Sequence, residues 1–304
     1  MIRLAALSLT IALIAPAKAT DNRTTAVNDT GDGPAERVAT LDFITTETVL
    51  LLGHHPVAVA GLKHYREWVG IGNDALSAAR ELGRRDAPDL ETLAAAEPDL
   101  ITGAAFRHQS LAPSLRRIAP VVLYNWLPED DRVGPLAHLR GIVRHLAGRL
   151  DKQQRGEDIL EVMEERLDEQ AQRLAEAGWD GAPVVLAQHV RGSDQFNLYT
   201  DHSLGGAIAN AIGLNNAWDG ESQRFGAQTV GLRTLLALDD AHIILVAQPE
   251  DSAFQQMTSS PVWQSLPAVE ADRIHRLPPR TWFFGGPRTI ARLARQFTDA
   301  LIPD

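Results

Sequence analysis

Arginine and aromatic side chains recur in predicted loops, most of them after strands, and their chemistry suits an oxygen-rich ligand. A guanidinium group donates paired, charge-assisted hydrogen bonds to ligand oxygens, while indole and phenyl faces cover the apolar parts of a ligand. Open α/β sheets bind ligands beyond the carboxyl ends of their strands, where such loops lie. The candidate ligand-binding residues are Tyr65, Trp68, Arg84, Arg85, Phe106, Arg107, Phe225, Trp282 and Phe284.

Each of these residues also has a purely structural interpretation. Trp and Phe side chains are mostly buried for packing, so any one of these rings could belong to the core. Arg84 and Arg85 could equally be surface arginines that contribute nothing specific. The hypothesis of a binding site therefore depends on whether the residues converge in space.

Motifs of common enzyme classes are missing from the sequence. It contains no G-x-S-x-G, no G-x-x-x-x-G-K-[ST] and no H-E-x-x-H. Ser203 and His202, within TDHS, are side chains of a catalytic triad, but the alternative is a loop with Asp as a helix cap. His54 and His55 could begin a metal site, although scattered histidines favour turn residues. We expect no enzymatic activity and no cofactor, with a periplasmic hydrolase built on these groups as the rival hypothesis.

The elements that must position the candidate residues alternate along the chain. Short β-branched runs (RVATL, PVAVA, DLITG and PVVLYN) precede residue 126, and another set (PVVLAQ, FNLYT, HIILVAQ and RIHRLP) follows residue 182. Helical patterns separate the runs, and this alternation indicates α/β layers. LETLAAAEPDLI at residues 90–101 also resembles LRTLLALDDAHII at residues 232–244, which supports two halves of similar architecture.

The segment at residues 135–178 has no strand signal and is predicted to be helical. A break near Leu150-Asp151 divides it into two helices, with Asp151 as the cap of the second and Gly178 as its stop. About 26 residues at roughly 1.5 Å each extend about 39 Å, which is longer than a small lobe is wide. The predicted fold class is therefore α/β, with two α/β lobes joined by a single long helix.

Composition excludes several functions. The chain has 29 Lys+Arg and 39 Asp+Glu, a net charge of −10, or 27 − 39 = −12 without a leader that carries Arg3 and Lys18. We therefore expect no binding to nucleic acid or to anionic membranes in general. The 304 residues contain no cysteine, which excludes disulfides, thiolate metal sites and the lipid-modified cysteine of a bacterial lipoprotein.

The sequence also predicts where the protein works and how it is divided. Residues 1–19 read as a signal peptide, because their apolar run is too short to span a bilayer. Residues 20–36 are predicted to be a flexible leader. The mature lobes are predicted at residues 37–134 and 179–304, on either side of the helical segment. We expect an exported, soluble, monomeric protein of the periplasm that is not embedded in a membrane.

Several segments resemble the periplasmic ferric-hydroxamate siderophore-binding proteins of ABC uptake systems, which belong to the class III substrate-binding proteins. They are YREWV at residues 65–69, LGRRDAPDLETL at 82–93, LRRIAP at 115–120, NNAWDGESQRFGAQTVGL at 215–232, SSPVWQSLP at 259–267 and RTWFFGG at 280–286. Their order and spacing carry the resemblance, which covers essentially residues 37–302. The resemblance implies two lobes joined by a long helix, with a shallow cleft between them.

The resemblance also implies roles for individual residues. The family's hydroxamate-binding arginine corresponds to Arg85, with Arg84 beside it, and its first-lobe tyrosine falls near residues 106–108. The aromatic walls of its cleft correspond to Trp68, Phe225, Trp282 and Phe284. Iron stays coordinated by the siderophore, so no protein metal ligand is implied.

Delivery to an inner-membrane ABC permease is the partner interaction that the resemblance implies. The family docks through one acidic residue on each lobe, and the corresponding positions here are Pro113 and Arg233. The acidic residues that could replace them are Asp89 or Glu91 on one lobe and Glu221 or Asp239 on the other.

The leading hypothesis is a receptor for an iron(III)–siderophore of the hydroxamate type. The same fold could instead hold a catecholate chelate, haem, a corrinoid or a bare metal ion. Arg84, Arg85, Arg107 and Arg191 together would suit an anionic catecholate, whereas a neutral or cationic hydroxamate needs only one or two of them.

Overall fold

Two β-sheets, one in each half of the chain, hold the strands that position the site. The structure, a computed structural model, describes residues 26–27, 29–31, 33–130 and 132–302. The predicted signal peptide lies outside the described residues. The strands of the first lobe are β1 (Ala26–Val27), β2 (Val38–Thr40), β3 (Ala58–Val59), β4 (Arg80–Glu81), β5 (Gly83–Arg84), β6 (Ala87–Pro88), β7 (Leu100–Ala104) and β8 (Val121–Tyr124).

The first sheet has the strand order β1-β8-β7-β2-β3-β4, and all its pairings are parallel except that of β1 with β8. Strands β5 and β6 form a separate hairpin. The helices of this lobe are α1 (Phe43–Leu51), α2 (Leu62–Trp68), α3 (Leu90–Ala95), α4 (Ala105–His108) and α5 (Ala112–Leu115). Because β2, β7 and β8 are parallel, the residues that follow them lie at one edge of the sheet.

Two helices connect the lobes, α6 (Pro135–Arg149) and α7 (Gln153–Glu176). The break between them lies where the sequence predicts it, but Lys152 rather than Asp151 precedes the second helix. Asp151 itself has a left-handed φ of 51° and forms the corner. The 24 residues of α7 extend about 36 Å. Gly178, with φ 83°, follows the helix end as predicted.

The second lobe has a mixed sheet of order β12-β10-β9-β13-β14, with β11 beside the start of β9. Its strands are β9 (Pro183–His189), β10 (Gln195–Tyr199), β11 (Asn215–Asn216), β12 (Ala227–Gly231), β13 (His242–Val246) and β14 (Ile274–Arg276). Its helices are α8 (Leu204–Ala211), α9 (Ser252–Thr258), α10 (Pro261–Gln264), α11 (Pro267–Glu270) and α12 (Pro287–Leu301).

The long helix α7 contacts both lobes. Near its start, Arg155 Nε donates to the carbonyl of Leu51 at 3.1 Å, and Ile159 packs against the core of the first lobe. Further along, Leu167 and Leu174 are buried in the core of the second lobe. The predicted fold, two α/β lobes joined by a long helix, is therefore confirmed.

A buried carboxylate also joins the lobes directly. Glu47, on α1 of the first lobe, is fully buried against the start of α12 in the second lobe. It accepts hydrogen bonds from the backbone N–H groups of Gly286, Arg288 and Thr289, each at 2.9 Å, and from the Thr289 hydroxyl at 2.6 Å. These N–H groups belong to the first turn of α12, which has no partners for them within the helix. Glu47 thus caps a helix of the opposite lobe.

The stretch predicted to be a flexible leader makes specific contacts where the structure describes it. β1 pairs with the edge of β8, and the Thr30 hydroxyl accepts from the Val121 N–H at 3.1 Å. Asp29 forms an ion pair with Arg149, and its Oδ2 lies 3.1 Å from His145 Nε2. These contacts offset conformational entropy that the stretch loses when it becomes ordered. Its few large apolar side chains could not offset that entropy alone.

Candidate functional site

Six aromatic rings form a continuous cluster where the two lobes meet, and we call it the aromatic cluster. Its first-lobe members are Trp68, Phe106 and Trp126, and its second-lobe members are Phe225, Trp282 and Phe284. The centroid distances are 5.9 Å for Trp68–Trp282, 5.6 Å for Trp282–Phe284, 5.3 Å for Phe284–Trp126, 5.5 Å for Phe284–Phe225, 5.3 Å for Trp126–Phe225, 5.1 Å for Phe225–Phe106 and 4.8 Å for Phe106–Trp126. Rings from separate halves of the chain thus converge on one place.

The carboxyl edge of the first sheet supplies one side of the aromatic cluster. Phe106 lies in α4, directly after β7, and Trp126 follows β8. Asp42 and Phe43 follow β2 and begin α1, with Asp42 as the N-cap. Trp126, Asp42 and Phe43 were not among the sequence candidates. Position after a strand, the signal that identified Phe106, would have found all three.

Arg85 lies against this side of the site in a fixed position. Its guanidinium carbon is 3.8 Å from the centroid of the Phe43 ring and 5.7 Å from that of Trp282. Its stem passes Gly61, where a Cβ atom would lie 2.9 Å from Arg85 Cγ and where φ is +69°. A side chain at position 61 would therefore be strained and would displace Arg85. Burial lowers the pKa of Arg85, and the nearby charge of Asp42 opposes this shift.

The His108 side chain holds the backbone of Arg85 in place. Its imidazole is completely buried, Nε2 lies 2.6 Å from the Arg85 carbonyl, and Nδ1 accepts from the Ala104 N–H at 3.1 Å. Because Nδ1 accepts, the proton of the neutral ring is on Nε2, which donates to Arg85. Burial also lowers the pKa of His108, which favours this neutral form.

Four buried polar atoms around the aromatic cluster have no hydrogen-bond partner among the residues that the structure describes. They are Arg85 Nη1, Arg107 Nε, Trp282 Nε1 and Asp42 Oδ2. The Arg107 guanidinium lies 4.9 Å from the Phe106 centroid, so both arginines stand over rings of the first lobe. Buried donors without acceptors are costly unless a ligand completes them. Three donors together favour a ligand rich in oxygen.

The second lobe presents Phe225 on a constrained turn. Phe225 has a left-handed φ of 63°, which is uncommon for a bulky residue. Gly226, with φ 71°, packs so tightly that a Cβ atom there would lie 2.5 Å from the backbone of Ser203. Backbone strain of this kind clusters at ligand sites, where the fold holds a side chain in place. A cavity of about 300 Å³ adjoins this turn, between Gln223 and Gly226 of the second lobe and Leu127 and Pro128 of the first.

Two sequence candidates do not belong to the aromatic cluster. Tyr65 is fully buried beneath Phe43, and its hydroxyl donates to the Ile71 carbonyl at 2.8 Å, so it packs the core and presents nothing to a ligand. Arg84 is exposed, and its guanidinium forms a two-bonded ion pair with Asp86. The structure therefore places neither side chain in the aromatic cluster. The other seven candidates lie in or against the cluster.

Ser203, one of the groups that suggested catalysis, has a structural role. Ser203 is buried, donates to the Thr200 carbonyl and accepts from the Gly206 N–H, which makes it the N-cap of α8. The cap is thus Ser203, whereas the sequence favoured Asp201, which instead bonds Asn210 and Asn216. Within the described ranges, no group of three His, Asp or Glu side chains could hold a metal ion. In the same ranges, no helix combines the length and hydropathy needed to cross a bilayer.

Comparison with known proteins identifies related sequences. Residues 38–281 match the family described as Periplasmic binding protein. The iron(3+)-hydroxamate-binding protein FhuD of Escherichia coli strain K12 is 27% identical over 268 residues, which cover 87% of this chain and 86% of that protein. The Fe(3+) dicitrate-binding periplasmic protein FecB of the same strain is 25% identical over 249 residues, with coverages of 81% and 78%.

A solved structure shows the same architecture. The Fe3+-Desferal-bound siderophore-binding protein FhuD from Vibrio cholerae has a TM-score of 0.78 and 26% sequence identity, covering 88% of this chain and 97% of that one. The resemblance that the sequence segments indicated is thereby confirmed.

Proposed function

We propose, on the premise that this chain belongs to the periplasmic binding protein family, that it captures an iron(III)–siderophore between its two lobes and delivers it to an inner-membrane ABC permease. The observation that carries this proposal is the convergence of rings from both lobes beside a guanidinium with a buried, unpaired N–H. The rings would cover the apolar linkers of the chelator, and Arg85 would bind its coordinating oxygens. Iron would stay bound by the siderophore, and the protein would break no bond.

A hydroxamate-type chelate is the ligand class that we propose. Relatives named for iron(3+)-hydroxamate and for Fe3+-Desferal support it. The arginines support it as well, because Arg85 and Arg107 stand over rings of the first lobe. Arg84 is ion-paired outside the site and Arg191 is exposed, which removes two of the four cations that a catecholate complex would use.

Location and partners complete the proposal. We propose an exported, soluble monomer of the periplasm, with capture by lobes at residues 37–134 and 179–304 and the joining helices at 135–178. Pro113 and Arg233 occupy the positions at which the family carries its acidic docking residues. Other acidic residues would therefore contact the permease. Asp89, Glu91, Glu221 and Asp239 are all exposed and so accessible to a partner. A hydrolase remains the rival class, which turnover of an ester would reveal.

Tryptophan fluorescence tests the proposal directly. Trp68, Trp126 and Trp282 lie in the aromatic cluster, so an iron chelate bound there would quench their emission. We expect saturable quenching of the native protein by ferric Desferal, and weaker or no quenching by haem, a corrinoid, free iron or a catecholate complex. Absence of saturable quenching by every iron chelate would refute the receptor function.

Two neighbouring arginines provide a matched comparison. Arg85→Ala should weaken ferric Desferal binding by about 1.5–3 kcal/mol, because it removes a charged hydrogen bond from a desolvated site. Arg84→Ala should leave the dissociation constant unchanged, since that side chain is exposed and bound to Asp86. Urea unfolding checks that both variants remain folded. Equal affinities of the native protein and Arg85→Ala would exclude Arg85 from the site.

A further inference from the structure

A buried carboxylate lies directly under the aromatic cluster. Asp42 is 1% exposed, and its Oδ1 accepts from the Ile44 N–H at 3.0 Å and from the Trp126 indole N–H at 3.2 Å. The first of these bonds caps α1, and the second holds a ring of the cluster. Oδ2 is buried and has no hydrogen-bond partner within the described part of the chain. Capping therefore uses one oxygen only and does not account for the second, or for the charge.

The Arg85 guanidinium lies within electrostatic range of this carboxylate. Phe43, the residue after Asp42, carries the Arg85 guanidinium on its ring at 3.8 Å. The charge of Asp42 acts on Arg85, and the charge of Arg107 acts on Arg85 with the opposite sign. His108 is neutral and therefore adds no charge to this group.

A buried charge acts over a longer range than an exposed one. Exposed charges are screened by water and salt, whereas a carboxylate beneath a layer of rings keeps most of its field. A ligand over the rings would be attracted by the two arginines and repelled by Asp42 if it is an anion. A ligand with a cationic tail would experience the reverse.

We propose that Asp42 sets the charge selectivity of the cleft, shifting its preference away from multiply anionic ferric chelates and toward neutral or cationic ones. The inference rests on the proposed function, because it assumes that a ferric chelate occupies the cluster. It goes further by naming a residue that discriminates between chelate classes without touching the iron. Asp42 acts in this role as a specificity determinant through its charge.

Asp42→Asn isolates the charge from the cap. Asparagine is as good an N-cap as aspartate, and its amide oxygen can keep the bonds to Ile44 and Trp126. Asp42→Ser is a second neutral cap with a shorter side chain. Asp89→Asn is the matched control, because Asp89 is the N-cap of α3 in the same lobe but is exposed.

Affinities for two chelates of opposite charge form the readout. Ferric Desferal has a cationic ammonium tail, and ferric dicitrate is an anion. For each protein, the two dissociation constants are measured by fluorescence quenching at low and at physiological salt. We expect Asp42→Asn and Asp42→Ser to move the ratio of affinities about tenfold toward ferric dicitrate, the size expected for one unit charge acting through a weakly screened medium. Asp89→Asn should leave the ratio within twofold of the native value.

The outcomes separate the two proposals. An unchanged ratio in both Asp42 variants, with ferric Desferal still bound, would refute the selectivity role and leave the receptor function standing. An equal loss of affinity for both chelates would show that Asp42 acts only as a structural cap and would also refute it. Failure of the native protein to bind any ferric chelate would end both proposals.

Discussion

At the scale of single residues, the site depends on how Arg85 is held. Its guanidinium lies on Phe43, its carbonyl is bound by His108, and Gly61 leaves room for its stem. None of these neighbours contributes charge, so they fix position without competing with a ligand. A preorganised arginine loses less entropy when a ligand binds than one that must first be ordered.

His108 makes this arrangement dependent on pH. Its pKa is lowered by burial in the folded state, so between that value and the ordinary value near 6.5 the unfolded chain binds the proton more readily. Stability contributed by His108 is therefore complete above about pH 6.5 and is lost as the pH falls below it. We expect the free energy of unfolding of the native protein to fall more steeply between pH 7 and pH 5 than that of His108→Gln.

Urea unfolding at several pH values measures this difference. His64→Gln, at an exposed position of α2, is the control and should follow the native curve. Parallel curves for the native protein and His108→Gln would contradict the assignment. Binding of ferric Desferal should weaken in the same acidic range, because protonated Nδ1 cannot accept from Ala104.

Sequence could not distinguish neighbouring side chains that face opposite ways. Arg84 and Arg85 are adjacent, but Arg84 ends β5 whereas Arg85 lies in the turn of the hairpin, and it is Arg85 that reaches the rings. Tyr65 and Trp68 both lie on α2, and only the packing of Phe43 decides that Tyr65 is covered. In both pairs the residue types do not indicate which side chain reaches the site, because tertiary contacts decide it.

At the scale of elements, the loops after strands were the informative part of the sequence. The runs DLITG and PVVLYN predicted β7 and β8, and the edge they share determines where Phe106 and Trp126 lie. The internal repeat was less uniform than expected. Its first copy forms α3, whereas residues Leu232–Ala237 of the second form a 3₁₀ helix before β13. Helix type there is decided by local packing, which a pattern of Leu and Ala does not specify.

The contact between α1 and α12 was not predicted, because no pattern marks a carboxylate that caps a helix elsewhere. We expect Glu47→Gln to lower the free energy of unfolding by about 1–3 kcal/mol, since an amide presents its own N–H group to donors and leaves part of the α12 terminus unsatisfied. Urea unfolding is the measurement. Glu67→Gln, an exposed change on α2, should have little effect, and equal losses in the two variants would contradict the capping role.

At the scale of the whole molecule, several contacts restrain the lobes. α7 is buried against both of them, Glu47 caps α12, and Arg292 on α12 donates to the Val69 carbonyl at the end of α2 at 2.7 Å. The aromatic cluster adds contacts at the cleft. A hinge motion would have to break these hydrogen bonds between the lobes, which is costly.

We therefore expect only small lobe movement on ligand binding. Small-angle X-ray scattering of the protein with and without ferric Desferal should give nearly the same radius of gyration, with iron-free Desferal as the control. A large compaction on addition of the ferric chelate would contradict a restrained pair of lobes. Sequence predicted the long helix behind this expectation, but not the two polar contacts that reinforce it.

Strand β1 has a consequence for how copies of the protein meet each other. β8 is the outer member of a parallel sheet, and bare outer strands invite a second molecule to add its own backbone. Here Val27 and Ala26 lie opposite Leu123 and Tyr124, and Thr30 takes the N–H of Val121. These backbone groups of β8 are therefore not available to a neighbouring molecule. We expect the short strand to reduce self-association through this sheet edge at high protein concentration.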